Sequence, residues 1–211
     1  MEIIKLDPKH PDSEELDKAV AIIENGGVIG YPTDTIYGLG ADINNDQAVE
    51  KVFALKQRQK DKPILILAAW LEQVQSLTEF FSEQAKLLAS YFWPGPLTMI
   101  FPAANHVNPL VTGTVGTIGV RIPSHRVSLE LIRRSGVPIT STSANLSGAP
   151  NPTSAEDVIA AFGDKLDAVI DTGPSPTSLP STIVSVVSAE IKIIREGAIS
   201  RRKIEEVIGE L

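Results

Sequence analysis

The chain has no cysteine in its 211 residues. Disulfides, thiolate zinc sites and iron–sulfur clusters are therefore excluded. Histidine is almost as scarce. His10, His106 and His125 are scattered and fit no ligand spacing such as H-E-x-x-H. All three read as surface or packing residues, and no metal site is expected. No apolar run approaches the ~20 residues that a membrane span needs. The opening Met1-Glu2-Ile3-Ile4-Lys5 lacks a charged segment leading into an apolar one, so no secretory signal is expected. A cytoplasmic location without membrane contact is the resulting expectation. A basic excess is missing as well. Net charge is −7, which provides no global field for holding a nucleic acid, so weak or no direct nucleic-acid binding is expected. There is no G-x-x-x-x-G-K-[ST] loop and no strand-linked G-x-G-x-x-G; Gly38-Leu39-Gly40 is too short to stand for either. Any use of ATP must proceed without a common nucleotide motif.

What is present suffices for one sizeable core. Hydrophobic residues make up 43% of the chain, and one domain over residues 1–211 is the expectation at this length. Charge is uneven. Lys51, Lys56, Arg58, Lys60 and Lys62 lie close together with only Asp61 opposing them. A local cationic patch on an acidic protein suits a small anionic ligand better than a long duplex.

Periodicity and punctuation outline the elements. Asp12 is expected to cap a helix, with Glu15 closing a capping box. Leu16, Ala19, Val20 and Ile23 give that helix its inner face, and Gly26-Gly27 stops it. Val28–Tyr31 reads as a strand ended by Pro32, followed by the polar loop Thr33-Asp34-Thr35. A helix is expected over Asp46–Gln57 with Val49, Val52 and Phe53 inward, then a buried strand over Ile64–Ala69. Helices over Leu71–Leu77 and Ser82–Phe92 precede a strand at Leu97–Phe101. The Gly/Thr-rich stretch from Thr112 to Gly119 is expected to be loop, with a strand at Val120–Ile122. A helix at Val127–Ser135, a strand at Val137–Thr140 and a loop from Ser141 to Pro152 follow. The chain closes with a helix at Ala155–Phe162, strands at Ala168–Asp171, Thr182–Val187 and Lys192–Arg195, and a helix from Arg201. The expected fold is α/β with an α+β-like order, a twisted mixed sheet flanked by helices.

Three places carry chemistry, each with a plainer alternative. Lys56-Gln57-Arg58 ends a helix, where cations are favoured by ~0.3–1 kcal/mol for dipole reasons alone; a capped helix on a solvated face is the simplest reading. Lys62-Pro63 beside it adds a further cation at the entry to a buried strand. Ser141 to Gly148 follows a strand, and such loops bind ligands in α/β sheets. Its hydroxyls and amide could cradle phosphate, or could merely cap a turn. Arg121, between Val120 and Ile122, could clamp a carboxylate bidentately, although local sequence favours a solvated face.

Taken together, the segments resemble the YrdC-like family of threonylcarbamoyl-AMP synthases. The matching pieces are residues 26–40 (GGVIGYPTDTIYGLG), Lys56-Gln57-Arg58 with Lys62-Pro63, and residues 93–98 (WPGPLT). Then come Gly119-Val120-Arg121-Ile122-Pro123, residues 143–148 (SANLSG), Ser181-Thr182-Ile183-Val184 and Arg195-Glu196-Gly197. Each is weak by itself, and the ordered set is specific. The resemblance implies a concave, positively charged cavity. It implies catalytic roles for Lys56, Arg58, Ser143 and Asn145. An ATP site of Arg58, Lys62, Thr117, Ser143, Asn151 and Arg195 is implied, as is a threonine site of Thr35, Arg121, Ser141 and Ser181. Magnesium would accompany ATP, and a tRNA-modification transferase complex would be the partner. This sequence departs from many members at Gln59, where proline is common, and at Leu67, where some have histidine near the threonine site. Longer members carry a second domain, for which no counterpart is expected in these 211 residues.

The implied reaction joins bicarbonate or carbon dioxide to the amine of L-threonine. The resulting carbamate attacks the α-phosphorus of ATP and pyrophosphate leaves. Such chemistry depends on in-line positioning and charge stabilisation. It explains a site of cations and hydroxyls with no nucleophilic triad. Three rival expectations remain: an RNA-binding module, a carbamoyl-phosphate-using enzyme like the related domain of hydrogenase-maturation carbamoyltransferases, and a paralogue that binds nucleotide or RNA without threonine-dependent activity.

Overall fold

Short strands and helices alternate along the computed structural model, which describes residues 1–59 and 61–209. Lys60 of the cationic run lies outside the described residues. The first half contains β1 (Glu2–Lys5), α1 (Glu14–Glu24), β2 (Ile29–Tyr31), β3 (Gly38–Gly40), α2 (Asp46–Lys56), β4 (Leu65–Leu67), α3 (Leu71–Leu77) and α4 (Glu83–Phe92). The middle contains β5 (Leu97–Pro102), α5 (Pro109–Thr112), β6 (Thr117–Arg121), α6 (Arg126–Ser135), β7 (Ile139–Thr140) and β8 (Thr142–Ser143). The last part contains α7 (Ala155–Phe162), β9 (Ala168–Asp171), β10 (Thr182–Ser185), β11 (Lys192–Arg195) and α8 (Arg201–Ile208).

The mixed α/β class agrees with expectation, but the strands form two sheets where one was expected. The first runs β1-β9-β2-β3-β8 and the second β11-β10-β5-β6-β4-β7. Both are mixed. In the first, β1, β9 and β2 are parallel and β3 and β8 antiparallel. In the second, β10 runs parallel to β5 and β4 parallel to β6, with antiparallel pairs between. The sheets divide at Ser141. Ile139 and Thr140 pair with β4 of one sheet, and Thr142 and Ser143 pair with β3 of the other. Ser141 N–H still donates to Leu65 O, at 2.6 Å, and Thr140 N–H to Ala41 O, at 2.9 Å. One five-residue segment thus fastens the two sheets and leaves a seam between them.

Local chemistry explains most element ends. Helix α1 buries Leu16, Ala19, Val20 and Ile23, and Gly26 takes φ +78° beyond its end, a conformation glycine adopts without penalty. The expected cap at Asp12 is corrected. Ser13 caps the helix by accepting from Leu16 N–H, while Asp12 forms an ion pair with Arg134. Both residue types cap well; the tertiary ion pair draws Asp12 away. The expected loop at Thr112–Gly119 is also corrected, since β6 begins at Thr117. A Cβ on Gly119 would stand 2.3 Å from Leu65 Cδ2. The glycine that reads as a loop residue is a packing contact between neighbouring strands. Strands β1, β3 and β8 had not been expected. No helix among the described residues is long and apolar enough to cross a membrane.

Candidate active site at the seam between two sheets

A cavity of about 300 Å³ opens along the seam. It sits past the carboxyl ends of β2, β4 and β6, where open α/β sheets bind ligands. Thr33 and Thr35 from the loop after β2 line it, as do Arg121 at the end of β6 and Ser141 at the sheet crossing. Thr98 on β5 and Arg195 on β11 line it from the same sheet as Arg121, with Ser181 just before β10, and Arg58, Ser143 and Asn151 complete the polar rim. Three guanidinium groups line the cavity. No carboxylate does so among the described residues.

Arg121 overturns the local expectation of a solvated face, being only 4% exposed. Its Nη1 donates to Thr35 Oγ1 at 3.0 Å, and its Nη2 lies 3.6 Å from Asp34 Oδ1. The threonine hydroxyls have fixed directions. Thr33 Oγ1 donates to Ile36 O at 2.7 Å, so its single proton is committed. In the 3.0 Å contact between Thr33 Oγ1 and Thr35 Oγ1, Thr35 must therefore be the donor. Thr35 Oγ1 accepts from Arg121 and keeps one lone pair unused, on a residue that lines the cavity. It can accept from a ligand and cannot donate to one.

The neighbouring strands of the same sheet are built similarly. Ser181 Oγ lies 2.8 Å from Thr98 Oγ1. Arg195 wraps Ser181, with Nη2 donating to its carbonyl at 2.8 Å and to its Oγ at 3.3 Å. Burial lowers the Arg195 pKa, and the like charge of Arg121 lowers it further. Two cations held within each other's field with no lining carboxylate favour an anion between them.

At the rim, α2 ends in a turn that directs two cations differently. Gln57 sits at φ +50°, the only described residue other than glycine with positive φ. Arg58 N–H donates to Phe53 O and Gln57 N–H to Ala54 O, the paired bonds of a Schellman closure. Arg58 then turns to the cavity. Its Nη2 donates to Pro63 O at 2.8 Å, and its Nε is buried without a partner. Burial lowers its pKa, and a guanidinium stays charged at neutral pH regardless.

Lys56 points elsewhere and is 3% exposed, which overturns the expected solvated face. Its Nζ donates to Ser143 O and Asn145 O, both at 2.6 Å, and to Asn145 Oδ1 at 2.9 Å; Ser143 Oγ is 3.3 Å away. Burial, then the Arg58 charge, pulls its pKa from 10.5 to about 8. Ser143 Oγ also donates to Asn145 Oδ1 at 2.7 Å. Asn145 Nδ2 donates to Ala149 O and Pro150 O. Lys56 and Asn145 therefore stand behind the cavity wall and fasten the loop that follows Ser143.

Among the expected nucleotide group, Arg58, Ser143, Asn151 and Arg195 line the cavity, whereas Lys62 and Thr117 do not. Lys62 is exposed. Thr117 begins β6, four residues and about 13 Å of strand from Arg121. All four residues of the expected threonine group line the cavity: Thr35, Arg121, Ser141 and Ser181. Thr33 and Thr98 had not been singled out, although both fall inside the segments that carry the resemblance. Asp34 stands in the polar loop and in the same family segment, with no role of its own expected.

The family model Sua5/YciO/YrdC, described as "Telomere recombination", matches residues 21–197. The chain belongs to the Sua5/YciO/YrdC family. Threonylcarbamoyl-AMP synthase of Pyrococcus abyssi (strain GE5 / Orsay) is 39% identical over 193 residues, covering 92% of this chain and 57% of that relative. The chain thus spans under three fifths of that relative's length. A crystal structure of P. abyssi Sua5 complexed with L-threonine superposes with a TM-score of 0.95 at 36% identity, covering all of this chain and 62% of that one. E. coli YciO superposes with a TM-score of 0.86 at 26% identity, covering 96% of this chain and 98% of that one. The two-sheet architecture is therefore that of the Sua5/YciO/YrdC family.

Proposed function

We propose that this member of the Sua5/YciO/YrdC family is an L-threonylcarbamoyladenylate synthase, a nucleotidyltransferase that consumes L-threonine, bicarbonate and ATP. The observation that carries this reading is the pairing inside one cavity of a buried arginine with an acceptor-only threonine hydroxyl. Arg121 offers a fork to a carboxylate. Thr35 Oγ1, accepting from Arg121 and donating to Thr33, offers an acceptor to an ammonium or hydroxyl. An amino acid supplies both groups a short distance apart. The relative named threonylcarbamoyl-AMP synthase and the threonine-bound P. abyssi Sua5 support the same ligand.

In this account Arg121, Thr35, Ser141 and Ser181 hold threonine. Its amine attacks bicarbonate or carbon dioxide to form a carbamate, releasing water in the former case. A carbamate oxygen then attacks the α-phosphorus of ATP and the bond to pyrophosphate breaks. Arg58 and Arg195 offset charge that develops on the phosphates. Ser143 and Asn151 orient them. Lys56 acts through the loop it fastens, since all its protons are engaged by protein oxygens. The cavity's lack of a lining carboxylate fits magnesium that arrives on the ATP phosphates as part of the substrate, for magnesium in such sites is held largely by phosphate and water. The adenylate would pass to a transferase complex that modifies tRNA. Discrimination against serine rests on one methyl group, worth about 1–3 kcal/mol, so serine should be a slow substrate.

A second reading, a family member with a different small-molecule substrate, is favoured by the match across nearly the whole of YciO. The test that separates them incubates the protein with MgATP and bicarbonate, with and without L-threonine. Pyrophosphate and adenylates are then followed by mass spectrometry. Threonine-dependent pyrophosphate with a threonylcarbamoyl-AMP mass is expected. ATP binding with neither product would contradict the proposal and favour the second reading.

A further inference from the structure

Asp34 sits between the two threonines of the cavity wall but is not itself part of the lining. Its side chain is 10% exposed, and neither carboxylate oxygen has a hydrogen-bond partner. Removing a carboxylate from water without hydrogen bonds is strongly unfavourable. Three charged or titratable groups feel it. The Arg121 guanidinium lies 3.6 Å away. His125, just before α6, has a pKa lowered by burial and partly restored by the Asp34 charge, and its Nδ1 is also buried without a partner. Tyr31 on β2 is fully buried, and its hydroxyl donates to Thr140 O at 3.0 Å.

The distance to Arg121 is informative. At 3.6 Å the contact is an ion pair and lies outside hydrogen-bond range. A conventional arginine–carboxylate pair is bidentate and occupies two of the fork's donors. Here the fork's single protein acceptor among the described residues is Thr35 Oγ1. Asp34 offsets the buried charge of Arg121 and consumes none of its N–H groups. Without that offset, Arg121 would meet only the like charge of Arg195 along the same sheet.

We infer that Asp34 is a positioning residue, a buried counter-ion that holds Arg121 in place while leaving its donors free for the carboxylate of the incoming substrate. The inference rests on the reading of this cavity as an amino-acid site and adds a residue to it. Asp34 touches no reacting atom; it acts by keeping an unpaired guanidinium where a ligand can use it.

The substitution Asp34→Asn keeps shape and removes charge. Its expected effect is a rise of about tenfold in the threonine KM, with kcat at saturating threonine and the ATP KM held within about twofold. A purely structural role would lower the Tm and leave this split unmoved. The same change in an Arg121→Ala background should produce no further rise in threonine KM. There it should raise the Tm, because it removes a buried charge that has lost its partner. That second pair stands on its own should Asp34→Asn not fold in the wild-type background. A folded Asp34→Asn variant with an unchanged threonine KM, or an equal further rise in the Arg121→Ala background, would overturn the inference alone. A wild-type protein without threonine-dependent activity would overturn the functional reading, and this inference with it.

Discussion

Replacing Lys56 by methionine tests whether that residue is a fastener or a direct phosphate contact. The side chain keeps its length and loses its charge. Lys56 Nζ engages Ser143 O, Asn145 O and Asn145 Oδ1. Methionine leaves those buried acceptors without a donor, at about 1–3 kcal/mol for each group left unsatisfied. Burial disfavours the charge and pulls the Lys56 pKa from 10.5 to about 8, so removing the ammonium returns part of that. A net loss of about 2 kcal/mol or more is expected for Lys56→Met. The loop from Ser143 to Pro150 should loosen with it, since Asn145 Nδ2 ties that loop to Ala149 O and Pro150 O. Urea unfolding measures the first quantity, and amide hydrogen exchange over residues 143–150 measures the second. An unfolding free energy within about 1 kcal/mol of wild type, with unchanged loop protection, would show that Lys56 does not fasten the loop. Lys56 would then be free to serve as a phosphate ligand.

Further outcomes follow from neighbouring features. Gln57→Gly removes a side chain from φ +50° and should stabilise the protein by about 1 kcal/mol; a lower urea midpoint would contradict that. Thr33→Val removes the acceptor that fixes the Thr35 proton and should raise the threonine KM about tenfold with the ATP KM unmoved, whereas Thr33→Ser should behave as wild type. Lys56 also predicts a pH dependence. Its folded pKa lies below its unfolded value, so between about pH 8 and 10.5 the unfolded chain binds the extra proton and stability rises with pH. Tyr31 acts in the opposite sense above pH 10, because burial raises its pKa and ionisation favours the unfolded chain. Unfolding free energies from pH 7 to 10 should therefore climb in wild type relative to Lys56→Met; a flat difference would show that Lys56 is not depressed.

The sequence carried the helices well, because their signals are local. Caps and apolar spacing placed α2, α3, α4, α7 and α8 within a residue or so. It carried short strands poorly. β3 is Gly38-Leu39-Gly40 and β8 is Thr142-Ser143, and neither has a pattern of its own. They exist because each pairs with a partner distant in the chain, β3 with β8 across about a hundred residues. The division into two sheets was illegible for the same reason, since it is made at Ser141 by pairing on either side. Arg121 and Lys56 failed the local test in the same direction. Each looked like a solvated cation, and each is buried by acceptors about 86 residues or more away in sequence. Only the ordered set of family segments suggested that those residues meet.

If Arg121 binds the amino acid and Arg58 serves the transferring phosphate, steady-state pyrophosphate release separates the two roles. L-threonine is titrated at saturating MgATP and bicarbonate for wild type, Arg121→Ala and Arg58→Ala. Arg121→Ala should raise the threonine KM, and Arg58→Ala should lower kcat by at least about 10²-fold. An unchanged threonine KM in Arg121→Ala, or full activity in a folded Arg58→Ala, would contradict this division of roles.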